Sequence, residues 1–443
     1  MKKIIFLLCI LSSFAACHDD DEPEPEAPGL PGQPKEARGN FDRTVLVYVA
    51  GENNLSYFID SELQEMRQGS KEIGNNALLV FIDDSDDTHM PYMLWIKDGM
   101  TADSISLVSD PLTSDPETMS TILNLASTYY PAKEYGIVLW GHSSGWIFSD
   151  SIAAGTTAKA PRRAYGIDTG SNSSGSAGKW MNMPTLSKTL KEWRHLKFIF
   201  ADCCQFQCVE SAYELREAAD YIIGSPAEVP GQGAPYHTVV PALFEQSATF
   251  YEAIVDRYFE QVIPVNPNND GLGSTLNART PLSVIKTSAL PHLAEATNKV
   301  LHSFLPLADN ALPDMSQLIY YRGNISAKRK SMINKDVMYD MNDFILHYAN
   351  DEAYDEWKRA FDEAVVCKRN TRNGWMTDGQ VNGLSFKWLT DVRYGGVSMF
   401  VPQEREGSEY SPYTSQNVQH DGYNAEIKKT SWYGAARLAE FGW

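Results

Sequence analysis

Residues 136–146 read GIVLWGHSSGW. Gly136–Trp140 is a short, continuous apolar run, the pattern of a strand buried on both faces. It breaks into a polar turn, Gly141-His142-Ser143-Ser144-Gly145, before Trp146. The runs on either side repeat the design. Thr44–Ala50 (TVLVYVA), Ala77–Ile82 (ALLVFI) and Leu196–Ala201 (LKFIFA) are further buried strands. Between them lie helical patterns. Leu55, Phe58, Ile59, Leu63 and Met66 follow the first strand at helical spacing. Ser114-Asp115-Pro116-Glu117 is a capping box ahead of Met119, Ile122, Leu123 and Ala126, and Leu186, Leu190 and Trp193 precede Leu196. Strands separated by helices predict βαβ units and an α/β fold with a mostly parallel sheet flanked by helices. Helices then dominate from about 288 to 366, and Gly395–Pro402 (GGVSMFVP) marks a β-rich tail.

The whole composition agrees. The chain has 443 residues, 43% of them apolar, enough for a sizeable core. Its 38 Lys and Arg stand against 57 Asp and Glu, a formal net charge of −19. Nucleic-acid binding draws its affinity from clustered Lys and Arg, so that class of partner is excluded.

In an open parallel sheet, chemistry collects just beyond the carboxyl ends of the strands. Two such ends carry reactive groups: His142 after one strand, Asp202-Cys203-Cys204 after the other. A thiolate needs a partner that takes its proton and later returns one, and histidine does both near neutral pH. A helix expected over Val209–Tyr221 would further favour the thiolate through its positive N-terminus. Three competing readings use the same residues. Zinc on His142, Cys203, Cys204 and Cys208 is disfavoured, because adjacent cysteines seldom point at one ion and no CxxC pair exists. Gly141-His142-Ser143-Ser144-Gly145 also fits the G-x-S-x-G elbow of a serine hydrolase with Ser143 as nucleophile, although Trp146–Gly155 has no cap and little helical period. A catalytically dead surface binding protein on a peptidase fold is the third.

At these residues the sequence resembles the clostripain family of cysteine peptidases, whose fold is caspase-like. Gly51-Glu52-Asn53-Asn54-Leu55 looks like the family's first polar turn. Leu139-Trp140-Gly141-His142-Ser143-Ser144-Gly145-Trp146 matches its histidine motif. Ala201-Asp202-Cys203-Cys204, with Glu210 and Asp220-Tyr221-Ile222-Ile223, fits its cysteine motif, and echoes continue at Val229–Tyr236, Tyr339–Phe344 and Thr430-Ser431-Trp432. The resemblance runs from about residue 43 to the C-terminus. It implies an endopeptidase with Cys204 as nucleophile, His142 as base and acid, and an oxyanion held by the backbone N–H groups of Ser143 and Cys204. It also implies protein or peptide substrates cut after Arg or Lys, which Asp202 would bind, being two residues before Cys204 and on the same side of an extended strand. No cofactor is required by this chemistry; calcium, which clostripain needs, is left open. Two positions depart from the family pattern: Ser143 stands for glycine and Cys203 for alanine. Activation by a cut after a basic residue is also implied. The loop 155–165 offers Lys159, Arg162 and Arg163, with Arg163 the preferred site.

The N-terminus is an address. Lys2 and Lys3 precede an apolar run from Ile4 to Phe14, then Ala15-Ala16-Cys17. This is similar to a bacterial lipobox, with Cys17 lipidated and residues 1–17 as signal peptide; a simple secretory signal is the alternative. His18-Asp19-Asp20-Asp21-Glu22 and five prolines follow, an acidic Pro-rich tether over 18–42 that resembles the surface-export signal of Bacteroidetes lipoproteins. The expected arrangement is therefore an outer-membrane lipoprotein exposed at the cell surface, touching the membrane only through its lipid. A peptidase core over 43–285 and a helical and β-rich region over 286–443 packed on it complete the expected domains.

Overall fold

The computed structural model describes residues 36–147, 165–170, 179–260, 280–304, 315–321, 338–370, 375–377, 380–384, 389–401 and 426–443. The expectations for Cys17, Lys159, Arg162 and Arg163 fall outside these residues.

The strands expected from sequence are present and central: β1 (Phe41–Ala50), β2 (Ala77–Asp83), β5 (Ala132–Trp140), β8 (Leu196–Asp202) and β9 (Ala219–Gly224). All five run parallel, in the spatial order β9-β8-β5-β1-β2. The antiparallel hairpin β3 (Tyr92–Lys97) and β4 (Met100–Ser106) extends the sheet beyond β2. β10 (Leu282–Lys286) and β12 (Val365–Arg369) extend it beyond β9 and complete nine strands. This is the mixed, caspase-like sheet the sequence predicted, with a mostly parallel centre. Its last strand comes from the chain beyond residue 286.

Side chains alternate along the strands and feed two cores. On β1, Leu46 and Tyr48 face one side while Val45, Val47 and Val49 face the other. The first face packs against α2 (Pro116–Tyr129), α3 (Met183–Trp193), α4 (Val209–Glu214), α7 (Leu290–Phe304), α8 (Met341–Tyr348) and α9 (Asp351–Ala364). The second packs against α1 (Ile59–Gly69), α5 (Tyr236–Leu243) and α6 (Phe250–Glu260). Each buried Val, Leu or Ile contributes about 1.5–3 kcal/mol, so strand ends projecting from this double core are rigid mounts. A helix does start here with Pro116 in its first turn, but its N-cap is Asp115, whose side chain accepts from the Glu117 N–H at 3.4 Å, and not Ser114 as the capping box implied; Ser114 Oγ has no hydrogen-bond partner among the described residues.

The helix after the cysteines is shorter than expected: it spans only Val209–Glu214, because the chain must turn back at Ala219 to enter β9. In the C-terminal region, among the described residues, Ser398–Met399 pairs with β11 (Tyr339–Asp340), and Trp375–Thr377 pairs with Gln380–Leu384 in a second short ladder. No helix among the described residues is long and apolar enough to cross a membrane.

Candidate active site

The register of two neighbouring strands builds the site. On β5 and β8 the last aligned pair is Trp140 and Asp202. His142 and Cys204 each lie two residues further on, past the carboxyl ends of strands about 4.8 Å apart. The turns that follow are tightly fitted. Gly141 has φ +145°, and a Cβ there would stand 3.0 Å from the Ala50 carbonyl oxygen. Gln205 occupies the left-handed region at φ +56°, a conformation costing about 1 kcal/mol for a non-glycine, and its N–H is anchored on the Ala227 carbonyl at 2.8 Å. Gly145, at φ +65°, brings the histidine turn against the cysteine turn: a Cβ there would lie 2.6 Å from the Gln205 carbonyl oxygen and 3.0 Å from Cys208 Sγ.

His142 is half-buried, and its Nε2 lies 2.7 Å from Asn54 Oδ1, at the carboxyl end of β1. The Trp180 ring stands beside it, 6.3 Å between centroids. Cys204 is half-buried; its Sγ accepts from the Val229 N–H at 3.4 Å and its thiol donates to the Val229 carbonyl at 3.6 Å, one contact favouring the thiolate and the other the thiol. The helix N-terminus expected from sequence to act on it is too distant, because α4 begins at Val209 and a helix dipole fades within one turn.

Ser143 points inward. It is buried, its Oγ accepts from the Gly145 N–H at 3.1 Å, and its hydroxyl also bonds the Cys203 thiol. An elbow serine must present its oxygen to substrate, so this position does not suit Ser143 as nucleophile. Its N–H donates to no protein acceptor among the described residues. Cys203 is 2% exposed and belongs to the core; burial raises its pKa well above the ordinary thiol value. Cys203 and Cys204 are both free thiols. Cys208 is buried, bonds Ser211 Oγ and has its pKa pushed up to about 12 by burial. These cysteines and His142 do not converge on one ion.

Asp202 is 4% exposed. Its Oδ2 accepts from the Ala234 N–H and the Tyr236 hydroxyl, each at 2.8 Å, and does not cap the following helix. Oδ1 has no hydrogen-bond partner among the described residues. Burial pushes its pKa up to about 6 against those two hydrogen bonds. Gly233 makes this seat possible: at φ +66°, a Cβ would fall 2.7 Å from Asp202 Oδ2. Glu62 of α1 is buried nearby, and desolvation, then the Asp202 charge, raises its pKa to about 10.

Sequence reasoning gave no role to Asn54, Val229 or Glu62. Asn54 was within reach of the same rule that picked out His142, since it follows the strand next to β5. Val229 and Glu62 carried no local signal; they arrive from a loop and a helix distant in sequence.

A thiol and an imidazole at the ends of adjacent parallel strands define a thiol hydrolase of caspase-like architecture. The chain matches the clostripain family model over residues 47–434 and belongs to that family; it is a cysteine endopeptidase of the clostripain type. It resembles a secreted C11 cysteine protease from Bacteroides thetaiotaomicron solved with an irreversible peptide inhibitor. The two are 27% identical with a TM-score of 0.67, covering 90% of this chain and 99% of the other. An inactive zymogen C11 protease from Parabacteroides distasonis is 25% identical with a TM-score of 0.65, covering 91% of this chain and 99% of the other. No curated protein sequence matches significantly.

Proposed function

We propose that this endopeptidase cleaves after Arg or Lys with a Cys204–His142 dyad. The observation that supports the reading is the register: each residue follows two positions after the paired Trp140 and Asp202 of neighbouring strands. With Asn54 Oδ1 accepting from Nε2–H, Nδ1 is the basic ring nitrogen. It takes the Cys204 proton as sulfur attacks the scissile carbonyl, then returns it to the departing amine. Water cleaves the resulting thioester and regenerates the thiol. The oxyanion would rest on the N–H groups of Ser143 and Cys204. Asp202, two residues before Cys204 at the end of the same strand, would supply the negative group for a basic side chain on the acyl side of the cut. The enzyme would be made as a zymogen and opened by self-cleavage in the loop 155–165, first at Arg163, with Lys159 and Arg162 as neighbouring sites. The likeness to an inactive zymogen supports that order of events. Lipidation at Cys17 and exposure at the outer-membrane surface complete the proposal.

The test uses the chain without its signal peptide and fluorogenic peptides ending in Arg, Lys or Leu. Cys204→Ala should lose at least about a thousandfold in kcat/KM, and Cys203→Ala should keep most of its activity. Iodoacetamide should inactivate the enzyme and a sulfonyl fluoride should not. On a denaturing gel the wild type should run as two chains split near residue 163, with Cys204→Ala intact. Activity that survives Cys204→Ala but not Ser143→Ala would overturn the dyad. Equal rates on Arg and Leu peptides would overturn the specificity, and an active single intact chain would overturn the self-cleavage.

A further inference from the structure

On the face of the sheet that carries α1, α5 and α6, a second carboxyl stands near Asp202. Glu62 of α1 is 5% exposed, and its Oε2 has no hydrogen-bond partner among the described residues. Asp202 is 4% exposed, and its Oδ1 is likewise unpartnered there. Gly233 lies against both. A Cβ on it would stand 2.7 Å from Asp202 Oδ2, 3.4 Å from Glu62 Oε2 and 2.9 Å from Trp140 Nε1. The glycine, at φ +66°, thus keeps a space between the two carboxyls clear of any side chain. On its other side Glu62 borders a gap lined by Ile59, Leu63, Met66 and other apolar side chains.

Two acids buried together are costly unless something positive joins them. The groups facing Glu62 among the described residues are Asp202 at the end of β8, Glu65 on the next turn of its own helix, the Tyr236 hydroxyl of α5 and the Tyr258 hydroxyl of α6. None is cationic. His237 of α5 pairs with Glu65, Nδ1 to Oε2 at 3.0 Å. Glu62 therefore keeps its proton: burial, then the Asp202 and Glu65 charges, raise its pKa to about 10. Asp202 titrates first, at about 6, while Glu62 is still neutral, so at neutral pH the pair holds one charge and one proton.

We infer that Glu62 is a second carboxyl of the site that takes the basic substrate side chain, releasing its proton to solvent when the cation arrives between it and Asp202. The inference rests on the preference for Arg or Lys proposed above. One carboxylate engages two of a guanidinium's five N–H donors, and a second carboxylate opposite it engages others. A cation within about 4–6 Å favours the charged form of a carboxyl, so Glu62 ionises as the basic side chain binds. Binding that releases a proton tightens as pH rises. The preference for positive charge should therefore grow above neutral pH, where Asp202 is already ionised and arginine stays fully charged. Tyr236 and Tyr258 stay protonated in that range, because burial raises their pKa values further.

The test uses the active wild-type enzyme and two reversible peptide aldehydes, identical except that one ends in arginine and the other in citrulline, its neutral isostere. Their inhibition constants are compared from about pH 7 to about pH 9.5, and taking the ratio cancels the dyad ionisations that both inhibitors share. Wild type should favour the arginine aldehyde by a ratio that grows at least about tenfold across the range. Glu62→Gln mimics the protonated acid and should keep an arginine preference that does not change with pH. A buried acid whose pKa is raised loses stability as pH rises, so Glu62→Gln should melt at or above the wild-type temperature at about pH 9, and its level profile is then not a loss of fold. A wild-type ratio that stays level, or one that still rises in Glu62→Gln, would overturn the role of Glu62 and leave the basic preference intact. Equal inhibition by the two aldehydes at every pH would overturn that preference and this inference with it.

Discussion

Asp202 serves two opposed ends. Its buried carboxyl is held by Ala234 and Tyr236, but desolvation wins and its pKa rises to about 6 from the ordinary 3.8. The folded chain therefore binds more protons than the unfolded one between about pH 4 and 6. Asp202's contribution to stability is present below that window and is lost as pH rises through it, on the order of 3 kcal/mol. The same ionisation is what a basic substrate side chain requires. Asp202→Asn keeps an amide oxygen for Ala234 and Tyr236 but cannot ionise. It should melt at or above the wild-type temperature at pH 7.5 while losing at least about tenfold in kcat/KM on Arg and Lys peptides, with Leu peptides little changed. Melting clearly below wild type, with specificity intact, would make Asp202 purely structural. At this scale the sequence marked His142, Cys204 and Asp202 because each follows a recognisable apolar run. It left the function of Asn54 and Val229 unread, because a hydrogen-bond partner is set by register between strands and loops, which no local pattern encodes.

The elements carry that register. Four of the five parallel strands stood out as unbroken apolar runs, and the fifth, β9, lay within the Asp220–Ile223 motif. The parallel centre followed from the helices between them. The edges did not. β3 and β4 join through Asp98 and Gly99 at φ +51° and +82°, a two-residue hairpin turn that Asp-Gly specifies, but a half-exposed edge hairpin lacks the apolar run that singles out a central strand. The short α4 was over-extended because apolar spacing cannot foresee where β9 needs the chain. The contact between the histidine and cysteine turns belongs to this scale as well. Gly145→Ala places a methyl on the Gln205 carbonyl at a positive φ, so it should destabilise the fold by about 2 kcal/mol or more and lower kcat more than it raises KM. An unchanged kcat with unchanged melting would show that the two turns are not held in register by this contact.

Across the whole molecule, one sheet separates two cores and gathers its reactive groups along one rim. Asp83, Glu52, Asn54, His142, Asp202 and Cys204 all lie at or just past the carboxyl ends of neighbouring parallel strands β2, β1, β5 and β8. The central claim is that Cys204, and not its neighbour Cys203 or Ser143, is the atom that meets the substrate. The most direct measurement is to label the active wild-type enzyme with an irreversible Arg-ended peptide electrophile and locate the adduct by peptide mass spectrometry. One adduct per molecule on Cys204, lost in His142→Ala and blocked by an Arg-ended competitor, is the expected result. An adduct on Cys203 or Ser143, or full activity with Cys204 left unlabelled, would contradict it.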